Sequence, residues 1–144
     1  MAKKSFATLG ILALLAAASA FGQTKLTADV PFEFSFASKV MPAGHYDITR
    51  TPAVLMVRGF TPGAGALSPT TNIGDGKDSG QGRLVFHKYG DKYFLAEAWS
   101  EHSSGWAVSV PMSKTEREIA RANPDVARVT LPLRTGVVTL ASLK

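Results

Sequence analysis

The chain has 144 residues, no cysteine, and 16 Lys and Arg against 11 Asp and Glu, a formal net charge of +5. Without a thiol there is no disulfide, thiolate metal site, cysteine nucleophile or acylated lipoprotein cysteine, so a packed core must hold the fold. The charges are mixed without runs of one sign, which excludes the basic stripe with exposed aromatics that nucleic-acid binding needs.

The first 22 residues read as a secretory signal peptide. Lys3 and Lys4 form the positive region, Phe6 to Ala17 the apolar region, and Ala18-Ser19-Ala20 the small residues for cleavage. Cutting after Ala20 and cutting after Gly22 fit equally. The apolar stretch is shorter than the roughly 20 residues of a membrane-spanning helix, and no later segment is apolar for long enough. Lys3-Lys4 is not a twin-arginine pair, so the chain is expected to cross unfolded by the general route, without a cofactor loaded in the cytoplasm. The expected product, 23–144, is one domain in the periplasm or outside the cell, with a net charge of +3 and no transmembrane anchor.

Within 25–36, Val30, Phe32, Phe34 and Phe36 alternate with polar residues and share one side of an expected strand. Pro31 cannot donate to a ladder, so this strand lies at an edge or starts near it. Met41-Pro42-Ala43-Gly44 reads as a tight turn with Gly44 at positive φ. His45 to Thr49 forms the next strand with Tyr46 and Ile48 inward. Thr51-Pro52 breaks the chain, and Ala53 to Val57 completes a three-stranded meander. Residues 59–82 hold seven Gly and two Pro in 24 positions, a flexible loop with room for one short strand in Ala64 to Thr71. Gly74-Asp75-Gly76-Lys77-Asp78 lacks both the ligand spacing of a calcium loop and the ending of a phosphate loop.

Arg83 to Tyr89 and Lys92 to Trp99, joined by Gly90-Asp91, predict a hairpin with a two-residue primed turn. That turn pairs Phe86 with Leu95 and Leu84 with Glu97 on one face, and His87 with Phe94 and Val85 with Ala96 on the other. Glu97 then stands on an apolar face beside Leu95 and Trp99 and needs a partner, with Lys88, Arg83 or a tyrosine as candidates. His87 and Glu97 fall on opposite faces and cannot chelate one ion. Gly105 to Val110 is a further strand with Trp106, Val108 and Val110 aligned. Ser113-Lys114-Thr115-Glu116 is a capping box that opens one helix over 114–122, ended by Asn123-Pro124. Its one large apolar residue, Ile119, places it on the surface. Val126 to Leu131 and Gly136 to Leu143 read as a last pair of strands.

With Asp29-Val30-Pro31-Phe32-Glu33-Phe34, Met41-Pro42-Ala43-Gly44-His45-Tyr46, the run Leu84 to Leu95 and Lys114-Thr115-Glu116-Arg117-Glu118 in this order, the chain resembles a group of small exported bacterial β-rich proteins of unassigned function. The similarity covers roughly 29–57 and 83–118. It implies export and a β-rich domain, and brings no catalytic residues.

Three histidines without close spacing predict no metal site. Glu101, His102 and a serine of the Ser100 to Ser104 connection could be drawn as a hydrolytic trio, but such groups converge from different elements rather than one loop, and no Gly-x-Ser-x-Gly exists. The expectation is a non-enzymatic, all-β, mainly antiparallel domain, a small barrel-like or two-layer sandwich fold with one short helix near 114–122, and the run of consecutive hairpins favours the barrel. No cofactor is expected. The expected function is binding of a small apolar or amphipathic ligand, or a polymer, around Phe32, Phe34, Phe86, Tyr93, Glu97, Trp99 and Trp106. Rings so placed more often form a core than a ligand wall, and core is the preferred reading for them. The alternative is an envelope protein-interaction or structural role through an edge strand or the Gly-rich loop.

Overall fold

Proline decides where this chain changes layer. The computed structural model describes residues 23–75, 80–101 and 105–138. The expected signal peptide, residues 76–79 and 102–104 and the tail 139–144 lie outside the described residues. Two units are present: the smaller contains 23–25 and 135–138, and the larger runs from Leu26 to Arg134.

The strands are β1 (Gln23–Val30), β2 (Phe34–Phe36), β3 (Lys39–Met41), β4 (Gly44–Arg50), β5 (Val54–Gly59), β6 (Gly65–Pro69), β7 (Thr71–Gly74), β8 (Arg83–Tyr89), β9 (Lys92–Trp99), β10 (Ala107–Ser109), β11 (Ala127–Pro132) and β12 (Arg134–Val138). The helix α1 (Lys114–Ala122) lies between β10 and β11. One sheet has the order β12-β1-β4-β5-β6, and the other β11-β8-β9-β10-β7 with β2 on β9 and β3 on β2. Both sheets feed one core in the larger unit, in which Tyr46, Leu55 and Val57 of the first meet Phe34, Phe86 and Leu95 of the second.

The fold is therefore a mainly antiparallel β sandwich with one short helix. Among the described residues neither sheet closes, which corrects the preference for a barrel. The reason lies in Pro31, Pro42, Pro69 and Pro132. Each stands at or next to a strand end, and in each case the following strand belongs to the other sheet. A residue with no N–H and a fixed φ stops a ladder and leaves the chain free to cross.

The expected strand over 25–36 is accordingly two, β1 and β2, in different sheets. Alternating burial nevertheless continues through the break: Val30, Phe34 and Phe36 are buried and Phe32 is half-buried. The β2–β3 hairpin loops out of the expected meander, whose members β1, β4 and β5 still lie side by side. Gly44 does not adopt positive φ; Ala37 (φ 53) and Ser38 (φ 62) do, forming the two-residue turn between β2 and β3. The Tyr46 hydroxyl donates to the Pro42 carbonyl and pins the crossover there. Within the expected flexible loop, 65–69 and 71–74 are strands. Gly59 is required by contact, because a Cβ there would stand 2.9 Å from the Tyr46 ring.

Gly90 takes φ 62 at the expected hairpin turn. The register runs as expected from Tyr89 opposite Lys92 to Phe86 opposite Leu95, and then shifts. Ala96 is the extra residue of a bulge, so Val85 faces Glu97 and Leu84 faces Ala98. Leu84–Glu97 and Val85–Ala96 are thus not pairs. Nor are the last two strands partners of each other: β11 pairs with β8, and β12 belongs to the other sheet. In α1 the Ser113 hydroxyl accepts from the Glu116 N–H at 3.1 Å, and the Asn123 N–H closes the last turn on the Ile119 carbonyl at 2.9 Å. The returning half of the capping box is absent, because the Glu116 side chain turns to the sheet instead.

Candidate functional site

The seven residues expected around a ligand occupy four places. Phe34 and Phe86 are core, with ring centroids 5.4 Å apart edge to face and exposures of 2% and 0%. Phe32 and Tyr93 stack at 3.7 Å with planes 12° apart, and Phe86 meets the edge of Phe32 from below at 5.1 Å. Both are half-buried and line an open groove of about 390 Å³. The groove lies where β2 and β9 are joined by a single parallel bridge, Ser35 to Phe94. Val40, 61% exposed, and Ile119 complete an apolar lining, while Glu33, Asp91, Lys92 and Thr115 make it polar elsewhere. The Lys88 ammonium lies 5.4 Å from the Tyr93 ring centroid. Trp106 is elsewhere, packed at the margin of the core with the Arg50 guanidinium 5.4 Å from its ring.

Glu97 and Trp99 are turned from the core by the bulge at Ala96. On the far face the Glu97 carboxylate accepts from the Trp99 indole at 2.8 Å and from Arg128 at 3.1 Å, and Arg83 lies 4.3 Å over the Trp99 ring. The partner of Glu97 is Arg128 on β11, not Lys88, Arg83 or a tyrosine. The same shift puts His87 and Glu97 on one face, which corrects the expected separation. They serve different partners: one oxygen of Glu116 is 2.9 Å from His87 Nδ1 and accepts from the Tyr89 hydroxyl at 3.2 Å. Burial, then the charge and hydrogen bond of Glu116, pushes the Tyr89 phenol above its ordinary range. Elsewhere the hydrogen bond from His45, 2.5 Å away, holds the Asp29 carboxyl below the usual carboxylate range.

Of the drawn hydrolytic trio, His102 with Ser103 and Ser104 lies outside the described residues. Ser100 is fully buried, and its hydroxyl accepts from the Trp106 N–H at 2.8 Å, so it braces the connection between β9 and β10. Among the described residues no three His, Asp or Glu side chains come close enough to hold a metal ion. The groove offers binding through ring faces and aliphatic surface, with charge at its margin. Sequence reasoning missed Val40, Thr115 and Ile119 because they reach the groove only through β3 and α1 docking. Glu116 did carry a signal, the capping box, but that motif accounts for it locally and hides its bond to the sheet.

No known protein family, curated protein or solved structure matches this chain. Among the described residues no helix is long and apolar enough to cross a membrane.

Proposed function

We propose that this chain is an exported, non-catalytic binding module that holds one small apolar or amphipathic ligand in the groove over Phe32 and Tyr93. The carrying observation is the groove itself: about 390 Å³, within the range of small-molecule sites, with an aromatic and aliphatic lining and charged residues at its edge. An amphiphile suits that division, its apolar part against Phe32, Val40, Tyr93 and Ile119, its polar part beside Glu33, Asp91 or Lys92. Export to the periplasm or beyond is supported by the leader-like first 22 residues and by the resemblance of the ordered motifs to exported β-rich proteins.

The test is calorimetric titration of the exported chain with dodecanoate and with anilinonaphthalenesulfonate. One site is expected, weakened about tenfold or more by Phe32→Ala and by Tyr93→Ala. Affinity equal to the parent's in both variants, or no heat in the parent, rejects the reading. The alternative, an envelope protein-interaction role, is favoured by Leu67, 61% exposed on β6, which ends its sheet's strand order. It predicts a partner crosslinked through β6 and lost in Leu67→Lys.

A further inference from the structure

We propose that α1 is a hinged wall of the groove, latched to the sheet by Glu116 through His87 and Tyr89, and that ligand enters and leaves when this latch opens. The inference rests on the binding reading above and adds how the site is gated.

The way α1 meets the sheet carries the argument. A surface helix is ordinarily held by an apolar stripe buried against its support. Of the nine residues of α1 only Glu116 is buried, at 3% exposed; Ile119 and Ala120 are half-buried and the other six are exposed. A carboxylate in a charge-assisted contact with His87 and bonded to Tyr89 therefore does the holding that side-chain packing does elsewhere. Such an attachment is directional, and its hydrogen bonds weaken steeply once their distance and angle are lost.

The surroundings of α1 allow the movement. Pro111 and Met112 before it, and Asn123 to Val126 after it, are exposed and belong to no ladder, so the flanks can absorb a rotation. Beside its first turn an open pocket of about 10 Å³ is lined by Ser113 and Glu116 together with Ser35, Phe94 and Val110, room for about one water molecule. Segments with few buried apolar contacts open first in local unfolding. Because Thr115 and Ile119 line the groove, outward rotation of α1 widens it and return narrows it over whatever lies on Phe32 and Tyr93.

The chain lacks cysteine, so Asp91→Cys with Arg117→Cys places a spin-label pair between the hairpin tip and the helix. Amide exchange of α1 is expected at least about tenfold faster than that of β8 and β9 in the parent. Glu116→Ala should broaden the label distance, leave β8 and β9 exchange unchanged, and raise the anilinonaphthalenesulfonate on-rate about fivefold or more. Glu116→Gln, which still accepts from Tyr89, should stay closer to the parent. Exchange of α1 in step with β8 and β9, or a label distance unmoved by Glu116→Ala, overturns the hinge. A Glu116→Ala chain that loses protection throughout also overturns it, and parent exchange decides the matter without any variant. If the dye fails to bind the parent, the groove reading falls and the gate with it, while the label distances still report whether the latch exists. Binding intact with an unchanged on-rate rejects the gate alone.

Discussion

Phe86→Ala and Phe32→Ala separate core from site within one cluster of touching rings. Phe86 is fully buried, meets Phe32 and Phe34 edge to face, and lies opposite Leu95 and Val129 in its ladder. Truncating such a ring leaves a cavity that the sandwich cannot close, at about 4 kcal/mol. Phe32 is half-buried beside a strand break. Its loss forfeits about half of a ring's burial energy and one stacked contact with Tyr93, together roughly 2 kcal/mol. A domain of this size has about 6–18 kcal/mol in total, so both variants fold. Urea unfolding followed by far-ultraviolet circular dichroism is expected to move the midpoint by about 2–3 M for Phe86→Ala and about 1–1.5 M for Phe32→Ala. Titration with anilinonaphthalenesulfonate should show the reverse order, with the larger loss in Phe32→Ala. If Phe32→Ala costs as much stability as Phe86→Ala, or Phe86→Ala costs under about 2 kcal/mol, the division of these rings between core and groove is wrong.

Ser113→Ala removes the acceptor of the Glu116 N–H and should cost about 1 kcal/mol, read as faster amide exchange in the first turn of α1. The double change Ala37→Asn, Ser38→Gly replaces two residues at positive φ by a pair suited to that turn, and should raise urea stability by about 0.5–1 kcal/mol. Tyr89 has a raised phenol, so its contribution to stability is complete below the ordinary tyrosine range, about pH 10, and is lost as pH rises through the higher folded value. Alkaline titration of phenolate absorbance should show Glu116→Gln ionising Tyr89 at lower pH than the parent. Gly59→Ala forces the Tyr46 ring to move and should lower the melting temperature, whereas Gly63→Ala, with open space around it, is strained only by its own φ of 80.

Most of the strands and the helix are legible from residues that sit near one another. Alternation marks β4, a compact apolar run marks β5, aromatic and β-branched runs mark β8 and β9 with Gly90-Asp91 as the turn between them, and Ser113 with Asn123-Pro124 brackets α1, since these signals arise from backbone geometry over a few residues. The groove is legible only in part: Phe32 and Tyr93 stand out as rings, but Val40, Thr115 and Ile119 join them through the docking of β3 and α1. The bulge at Ala96 is invisible in the pattern, yet that single residue turns Glu97 and Trp99 from the expected ligand wall to the opposite face, towards Arg128.

The chain alone, then, determined which side chains share a face wherever a strand runs unbroken, because periodicity of two or of 3.6 follows from local dihedrals, and it failed where the bulge at Ala96 interrupts that period. Which sheet each strand entered was decided by the tertiary structure. The four prolines permit a crossing without naming its destination, and the choice rests on burying Phe34, Tyr46 and Phe86 against one another across the two layers.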